Sequence, residues 1–275
     1  GPEATLSLDA YGTAESVDSI TMDDVKAFYN ANYSPSISSF TIAGAIDQKE
    51  TEKILASLVE KWKAKDVTIP EPKAGVAAKR GTIYFVDYPN APQSMIIVSK
   101  TSMPFNSPDF YPTAIANYRL GQGSQGMLFD VLRLQKGFTY GAYSNVIGGE
   151  YLNLFMASSS VQGSATKESV QIFRDLIGGY AEAINDETLT STKNSMLRAK
   201  ASSFETVGAL VSMLDNIARY NLPFDYVKHQ EETIKNITVD QVKESIKKNL
   251  NIDEMIYVVV GDAKTQMKPL ESLGL

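Results

Sequence analysis

The first part of the chain shows helical and strand patterns separated by clear boundary residues. Thr21 precedes an apolar run at helical spacing as an N-cap, and Ser34-Pro35 ends that run. Apolar residues over 37–43, followed by Gly44, indicate a strand. Asp47 then caps a second segment with helical apolar periodicity. The sequence therefore predicts helix, strand and helix in that order.

The rest of the chain alternates between strand and helix signals, after a segment rich in Lys, Pro, Ala and Gly that we interpret as a linker. The pattern predicts strands at 82–88 and 93–100, helices at 107–119 and about 125–136, and a hairpin of 140–146 with 151–158. From Thr166 onward it is helical, with further stretches at roughly 187–201, 203–220, 224–236 and 239–250. The final strand, 255–260, is apolar throughout, so we expect it to be buried on both faces.

One stretch of the sequence occurs twice. Ile20-Thr21-Met22-Asp23-Asp24-Val25-Lys26 matches Ile237-Thr238-Val239-Asp240-Gln241-Val242-Lys243, and the register holds without a gap to Gly44 and Gly261. The offset, 238 − 21 = 217 residues, is longer than any solenoid period and indicates two similar domains in tandem. We expect residues 3–65 to be the C-terminal piece of one α/β module, 66–80 a linker and 81–275 a nearly complete second module.

The first two residues bear on the same point. The chain opens with Gly1-Pro2, the pair that remains when a protease removes a purification tag. We therefore expect the chain to be a fragment of a longer protein, in which further sequence completes the first module.

Composition excludes several classes of function. The chain has 275 residues, 43% hydrophobic and 21% charged, which is enough for an ordinary core. No apolar run reaches about 18 residues, so no membrane-spanning helix is expected. The net charge is -6 with basic residues scattered among acidic ones, whereas a phosphate-backbone partner needs a clustered basic face. A nucleic-acid partner is therefore excluded.

Metal ligands are scarce in this sequence. There is no cysteine and a single histidine, His229, so a zinc site built from this chain would need a mostly carboxylate ligand set. The segment His229-Gln230-Glu231-Glu232 has no second histidine, and we interpret it as the polar side of a surface helix. We therefore expect no metal site in this chain.

Two groups of motifs, in their order and spacing, resemble the insulinase/pitrilysin zinc peptidases and the related mitochondrial processing peptidases. The resemblance extends over about residues 10 to 265. It implies an α+β fold: a two-layer α/β sandwich with a mostly antiparallel mixed sheet covered by helices. The motifs are Tyr11-Gly12, Ile20-Thr21, Tyr33-Ser34-Pro35 and Gly44-Ala45-Ile46-Asp47 in the first group, and Leu120-Gly121, Met127-Leu128-Phe129, Leu132-Arg133 and Lys136-Gly137-Phe138-Thr139-Tyr140-Gly141 in the second.

The family's zinc motif, the inverted His-x-x-Glu-His, is absent from this chain. The resemblance therefore implies the C-terminal non-zinc ("inactive") domain, which binds substrate and completes the active site of a zinc metalloendopeptidase. Zinc would come from a zinc-bearing module of the same protein or a partner subunit, and the substrate would be a peptide. The alternative is a purely structural or partner subunit of the same fold without proteolytic activity. Acidic, cysteine-free relatives in bacteria also imply the periplasm or cell envelope.

Arg133 and Tyr140 are the candidate catalytic-support residues that the resemblance implies. They stand 140 − 133 = 7 positions apart, and Gly137 between them can end a helix so that both side chains reach one rim. A guanidinium and a phenol are suitable donors to the oxygen that gains charge during peptide hydrolysis. Without the resemblance, an arginine in a last helical turn and a strand tyrosine would suggest helix-dipole and core roles.

Gly121, Gly123 and Gly126 form a GxGxxG pattern. A dinucleotide site needs that pattern between a strand and a helix, but residues 111–119 before it are predicted to be helical. A flexible turn between two helices is one interpretation. The processing peptidases that the chain resembles have a longer glycine-rich loop here that contacts substrate, so the three glycines are also candidate substrate-binding residues.

Overall fold

The computed structural model describes residues 4–275, which divide into two compact units. One unit comprises residues 4–77 of the described chain and Ser202–Leu222, and the other comprises Ala78–Ala201 and Pro223–Leu275. We call them the first and the second unit. Across residues 4–275, no helix has the length and apolarity needed to cross a lipid bilayer.

The predicted helices and strands appear in the predicted order, with one exception described below, and two helices at residues 14–19 and 263–271 add to those predicted. The helices are α1 (Ala14–Ser19), α2 (Met22–Asn32), α3 (Gln48–Lys61), α4 (Phe110–Gly121), α5 (Met127–Phe129), α6 (Thr166–Gly178), α7 (Asp186–Ala201), α8 (Val207–Tyr220), α9 (Tyr226–Asn236), α10 (Val239–Asn249) and α11 (Ala263–Glu271). The strands are β1 (Ile83–Asp87), β2 (Gln93–Thr101), β3 (Thr139–Ile147), β4 (Leu154–Gln162) and β5 (Ile256–Gly261).

The second unit is built on one mixed sheet with the strand order β1-β5-β2-β4-β3. Only β1 and β5 pair in parallel, and the other neighbours are antiparallel. Helices α4 and α6 pack on the sheet, and α10 packs on α4. The predicted two-layer sandwich with a mostly antiparallel sheet is confirmed.

The prediction that the last strand is buried on both faces was wrong in part. Along β5, Tyr257 and Val259 are fully buried, whereas Ile256, Val258 and Val260 are only half-buried. The strand is central in the sheet, but helices cover only one of the sheet's two faces. An apolar strand sequence cannot distinguish one covered face from two.

The sequence repeat appears as two closely matching helices. Both α2 and α10 have 11 residues and begin with a capping box, at Thr21 and Thr238, whose backbone angles differ by one degree. Their surroundings differ. In α10, Val242 and Ile246 are buried, whereas no residue of α2 is buried. Equal local sequence therefore forms equal local structure, but only the second copy is packed into a core.

The strand predicted at 37–43 does not form. Pro35–Ile37 is a 3-10 turn and the residues after it are irregular. Phe40 remains 59% exposed, while Tyr257, its counterpart in the repeat, is 1% exposed between β1 and β2. A strand needs a neighbour to pair its backbone groups, and the described residues of the first unit contain no other strand.

Candidate functional site

Arg133 lies in an irregular helical segment at the edge of the second unit. The predicted helix 125–136 is a short α5 that continues as a π-helical turn, Asp130–Gln135. Gly137, in the left-handed region with φ of 68°, ends it as predicted, and its N–H donates to the Arg133 carbonyl at 3.2 Å. Single π turns inside helices occur frequently at functional sites. The turn places Arg133 in the last part of the helix.

Tyr140 projects from β3, which is an edge strand of the sheet. The pairing register with β4 shifts between Thr139 and Ala142, so a β-bulge lies at Tyr140 and Gly141. Bulges at sheet edges re-aim side chains, and they are over-represented next to active sites. Tyr140 is 81% exposed. This exposure is incompatible with a core role for Tyr140, the alternative left open above.

Buried hydroxyl groups hold the bulge in place. Thr139 Oγ1 donates to the Ser160 carbonyl at 2.6 Å and accepts from Gly141 N–H at 3.1 Å. Ser159 Oγ lies 2.8 Å from the Gly141 carbonyl, which accepts its proton. Thr139 and Ser159 are 5% and 4% exposed. The irregular backbone under Tyr140 is therefore satisfied internally and fixed.

The structure brings the two predicted site residues together. The Arg133 Cζ lies 5.0 Å from the centre of the Tyr140 ring, a cation–π arrangement, and Nη1 donates to the Thr139 carbonyl at 3.2 Å. Within residues 4–275, no carboxylate lies at ion-pair distance from Arg133. The remaining guanidinium N–H groups and the Tyr140 hydroxyl stay available to another molecule.

The glycine pattern has a packing explanation. A Cβ on Gly121 would stand 2.1 Å from the Ser144 backbone nitrogen, and one on Gly126 would stand 2.9 Å from the backbone of Gly121. Gly123 has φ of 55° with open space around it and starts the turn Gly123–Gln125. Because α4 precedes the pattern, the context of a dinucleotide site is missing. Two of the three glycines allow α4, α5 and β3 to approach closely.

The potential metal ligands among residues 4–275 do not cluster. Over residues 4–275 no three His, Asp or Glu side chains converge in an arrangement that could hold one. His229 lies on α9, 58% exposed, with Nε2 3.4 Å from Asp225. It borders a cavity of about 560 Å³ with Glu232 and Glu244.

The sequence analysis did not predict the π turn and the β-bulge that position Arg133 and Tyr140. The alternating pattern of β4 does not mark Ser159, and an arginine at helical spacing does not reveal a π turn. Hydroxyl residues at strand positions that should be apolar, such as Thr139, are the only signal that was available.

Comparison with known proteins identifies the family. The sequence profile of the peptidase M16 inactive domain matches residues 19–196, which is more than half of the chain. The chain belongs to the peptidase M16 inactive domain family. This confirms the resemblance to the non-zinc domain of the insulinase/pitrilysin peptidases.

Curated relatives of this M16 inactive domain are distant and longer. An uncharacterized zinc protease of Streptomyces coelicolor is 22% identical over 215 residues, which are 76% of this chain and 47% of the relative. The non-peptidase homolog YmxG of Helicobacter pylori is 19% identical over 264 residues, 94% of this chain and 60% of the relative. The chain thus spans about half to three-fifths of the relatives it matches.

Solved structures share the fold of this M16 inactive domain. A peptidase M16 inactive domain from Pseudomonas fluorescens has a TM-score of 0.81 at 22% identity, covering 92% of this chain and 61% of that one. A chain of complex III2 from Candida albicans has a TM-score of 0.71 at 14% identity, and the match covers 98% of this chain and 66% of that one. The periplasmic protease PqqL of Escherichia coli has a TM-score of 0.60 at 16% identity, and the match covers 80% of this chain and 24% of that one.

Proposed function

We propose that this M16 inactive domain is the substrate-binding and active-site-completing part of a zinc metalloendopeptidase. The observation that carries the proposal is the Arg133–Tyr140 pair, two donors held side by side at a sheet edge by a π turn and a bulge. The π turn contains Arg133 and the bulge contains Tyr140, and both kinds of irregularity occur frequently at functional sites.

The chemistry of the pair suits peptide-bond hydrolysis. The carbonyl oxygen of a scissile peptide becomes negatively charged in the transition state, and a hydroxyl and a guanidinium are donors that stabilise it. One well-placed donor of this kind contributes about 2.7–4 kcal/mol to the lowering of the barrier. Tyr140 is exposed here, and such donors act most strongly where water is excluded. The pair therefore needs a second surface to close over it.

We propose that zinc and the residue that activates water lie on that second surface, a zinc-bearing module of the same protein or a partner subunit. A tight zinc site uses histidine, cysteine and carboxylate ligands, and this chain offers one histidine and no cysteine. The roles left to this chain are to donate to the reacting carbonyl and to hold the peptide.

We further propose that residues 3–65 are the C-terminal piece of a module whose other part has the fold of the second unit's sheet. Val25 and Phe28 on α2 are 51% and 62% exposed, an apolar stripe that a soluble protein rarely leaves uncovered. In the repeat, the corresponding face of α10 packs on α4. The occupant of the α2 stripe would thus be a helix equivalent to α4, and the residues around Phe40 would pair as β5 does.

The proposal is tested in the longer protein, assembled with its zinc-bearing module, by measuring peptide hydrolysis. Tyr140→Phe and Arg133→Ala should each lower kcat/KM by about tenfold or more, without unfolding the protein. Tyr143→Phe removes a hydroxyl from the same strand, where Tyr143 is 45% exposed, and should leave the rate unchanged. Unchanged kinetics for both Tyr140→Phe and Arg133→Ala would remove the catalytic-support role.

A purely structural or partner-subunit role is the second candidate. It is favoured by the likeness to the non-peptidase homolog of Helicobacter pylori and to a chain of complex III2. The two candidates differ in the longer protein. A His-x-x-Glu-His motif with a further glutamate ligand, and peptide hydrolysis that a chelator abolishes, support the peptidase, whereas their absence supports the structural role.

We propose the periplasm or cell envelope of a bacterium as the location. Support comes from the shared fold of PqqL, a periplasmic protease. Fractionation of the source cells with an antibody to the chain tests this, and recovery with the cytoplasmic fraction would contradict it.

A further inference from the structure

A polar cavity of about 440 Å³ lies between the C-terminal end of α4, the turn Gly123–Gln125 and one face of α7. Its α7 wall carries Ser191, Ser195 and Arg198. These residues are three or four positions apart, so they share one helix face. Ser191 and Arg198 are exposed and Ser195 is half-buried, so this face lines a concave surface that is open to solvent.

The charged groups of this cavity, which we call the α4–α7 cavity, favour an anion. Its charged side chains are Arg119, Arg198 and Asp130. Asp130 already accepts a 3.0 Å hydrogen bond from Gln135, while Arg119 donates to the Gln125 carbonyl. The Arg198 side chain has neither an ion pair nor a hydrogen bond with any residue in the described range 4–275. A chain of net charge -6 thus leaves a guanidinium unpaired beside a cavity.

Hydroxyl groups add further donors to the α4–α7 cavity. Thr192 is 6% exposed and lines the cavity; its hydroxyl has no hydrogen-bond partner within the described chain, and the hydroxyl oxygen remains accessible to solvent. Ser191, Ser124 and the Tyr118 hydroxyl also line it without a partner among residues 4–275. Water can satisfy these hydroxyls, and a ligand that supplies acceptor oxygens can replace that water. These hydroxyls can therefore donate hydrogen bonds to the oxygens of a ligand.

We propose that the α4–α7 cavity binds a peptide carboxylate, from a chain end or an acidic side chain. A carboxylate accepts two parallel hydrogen bonds from a guanidinium such as that of Arg198 and further ones from hydroxyls. That the carboxylate belongs to a peptide rests on the proposed function. The cavity adjoins the turn Gly123–Gln125, which connects to the helix that carries Arg133. A peptide held there would be anchored close to the catalytic-support pair.

The test uses the 275-residue chain and three blocked alanine peptides, with binding followed by backbone amide NMR shifts. The first ends in a free carboxylate, the second in an amide, and the third in an amide but with a central glutamate. The carboxylate peptide should shift the amides of Ser191, Thr192 and Arg198, and the uncharged amide peptide should not. Binding of the third peptide, or its failure to bind, decides between an acidic side chain and a chain end.

Variants make the assignment specific. Arg198→Ala should weaken carboxylate binding by at least about tenfold, since a charge-assisted hydrogen bond is lost. Thr192→Val keeps the shape of the side chain and should weaken binding less. Arg174→Ala, on α6 outside the cavity, should have no effect. Equal binding of the carboxylate and amide peptides, or unchanged binding by Arg198→Ala, overturns the proposal. Because no turnover is measured, this outcome is independent of the test of the peptidase role.

Discussion

The guanidinium of Arg133 lies against the ring of Tyr140 at 5.0 Å, although the two residues belong to different elements, a π-helical turn and an edge strand. A cation–π contact of this kind contributes roughly 0.5–1 kcal/mol at an exposed site and fixes the relative position of both side chains. Each residue therefore orients the other, besides any contact with substrate.

We expect this coupling to appear in kinetics. If Arg133→Ala and Tyr140→Phe each impair hydrolysis by the longer protein, the double variant should lose less than the product of the two single effects, because residues in contact act as a unit. Steady-state measurement of kcat/KM for the wild type, both singles and the double variant gives the coupling. Strictly multiplicative losses would show that the two residues act independently.

The hydroxyls beneath the bulge should control the position of Tyr140. Thr139→Val keeps the side-chain shape but removes the hydrogen bonds to Ser160 and Gly141, leaving buried backbone groups unsatisfied. We expect stability to fall by about 1–3 kcal/mol and kcat in the longer protein to fall while KM changes little. Ser158→Ala, on β4 with a half-buried side chain, is the control, and an equal loss there would contradict the prediction.

The two copies of the repeat offer a matched test of which copy is packed. Tyr257 and Phe40 occupy equivalent positions, 257 − 40 = 217 residues apart, but are 1% and 59% exposed. In this chain, Tyr257→Ala should cost about 3–5 kcal/mol in the free energy of unfolding, and Phe40→Ala less than about 0.5 kcal/mol. Urea unfolding measures both.

The same two substitutions test the proposal that the first module is complete in the longer protein. In a longer protein that includes the preceding sequence, the cost of Phe40→Ala should rise to about 3 kcal/mol, since Phe40 would then be buried as Tyr257 is. A cost that stays below about 0.5 kcal/mol would mean that no equivalent sheet covers this residue.

Substitutions in the glycine pattern test its packing role. Gly121→Ala places a Cβ 2.0 Å from Ser144 Oγ, so we expect overpacking to cost about 1–3 kcal/mol or more. Gly123→Ala has open space but a left-handed backbone, which costs about 1–2 kcal/mol. Thermal unfolding should show both losses. A stable Gly121→Ala variant would mean that the close approach of α4 to β3 relaxes easily.

Stability should also depend on pH through Glu254. The hydrogen bond from Lys100, and then its charge, lower the pKa of Glu254 from 4.5. A carboxyl with a lowered folded pKa stabilises the fold above its unfolded pKa, and this contribution is lost as pH falls through the folded pKa. Glu254→Gln should therefore lower the urea midpoint at about pH 7 but not at about pH 2.5. Glu150→Gln, an exposed carboxylate, should show no such difference.

Local signals in the sequence determined most of the secondary structure. Capping boxes at Thr21 and Thr238, the left-handed Gly137 and the alternation along the strands act within a few residues, so their outcome does not depend on the rest of the molecule. The sequence repeat, from which we predict two related modules, consists of the same local signals.

Tertiary structure decided what those segments do. Residues 37–43 have the composition of a strand but form none, because strands depend on partners that lie far away in sequence or outside the described chain. The bulge at Tyr140, the π turn at Arg133 and the unpaired donors of Arg198 and Thr192 arise from how elements pack against each other. Sequence named the pair of candidate residues, and only packing placed one beside the other, because their distance depends on contacts between a helix and an edge strand.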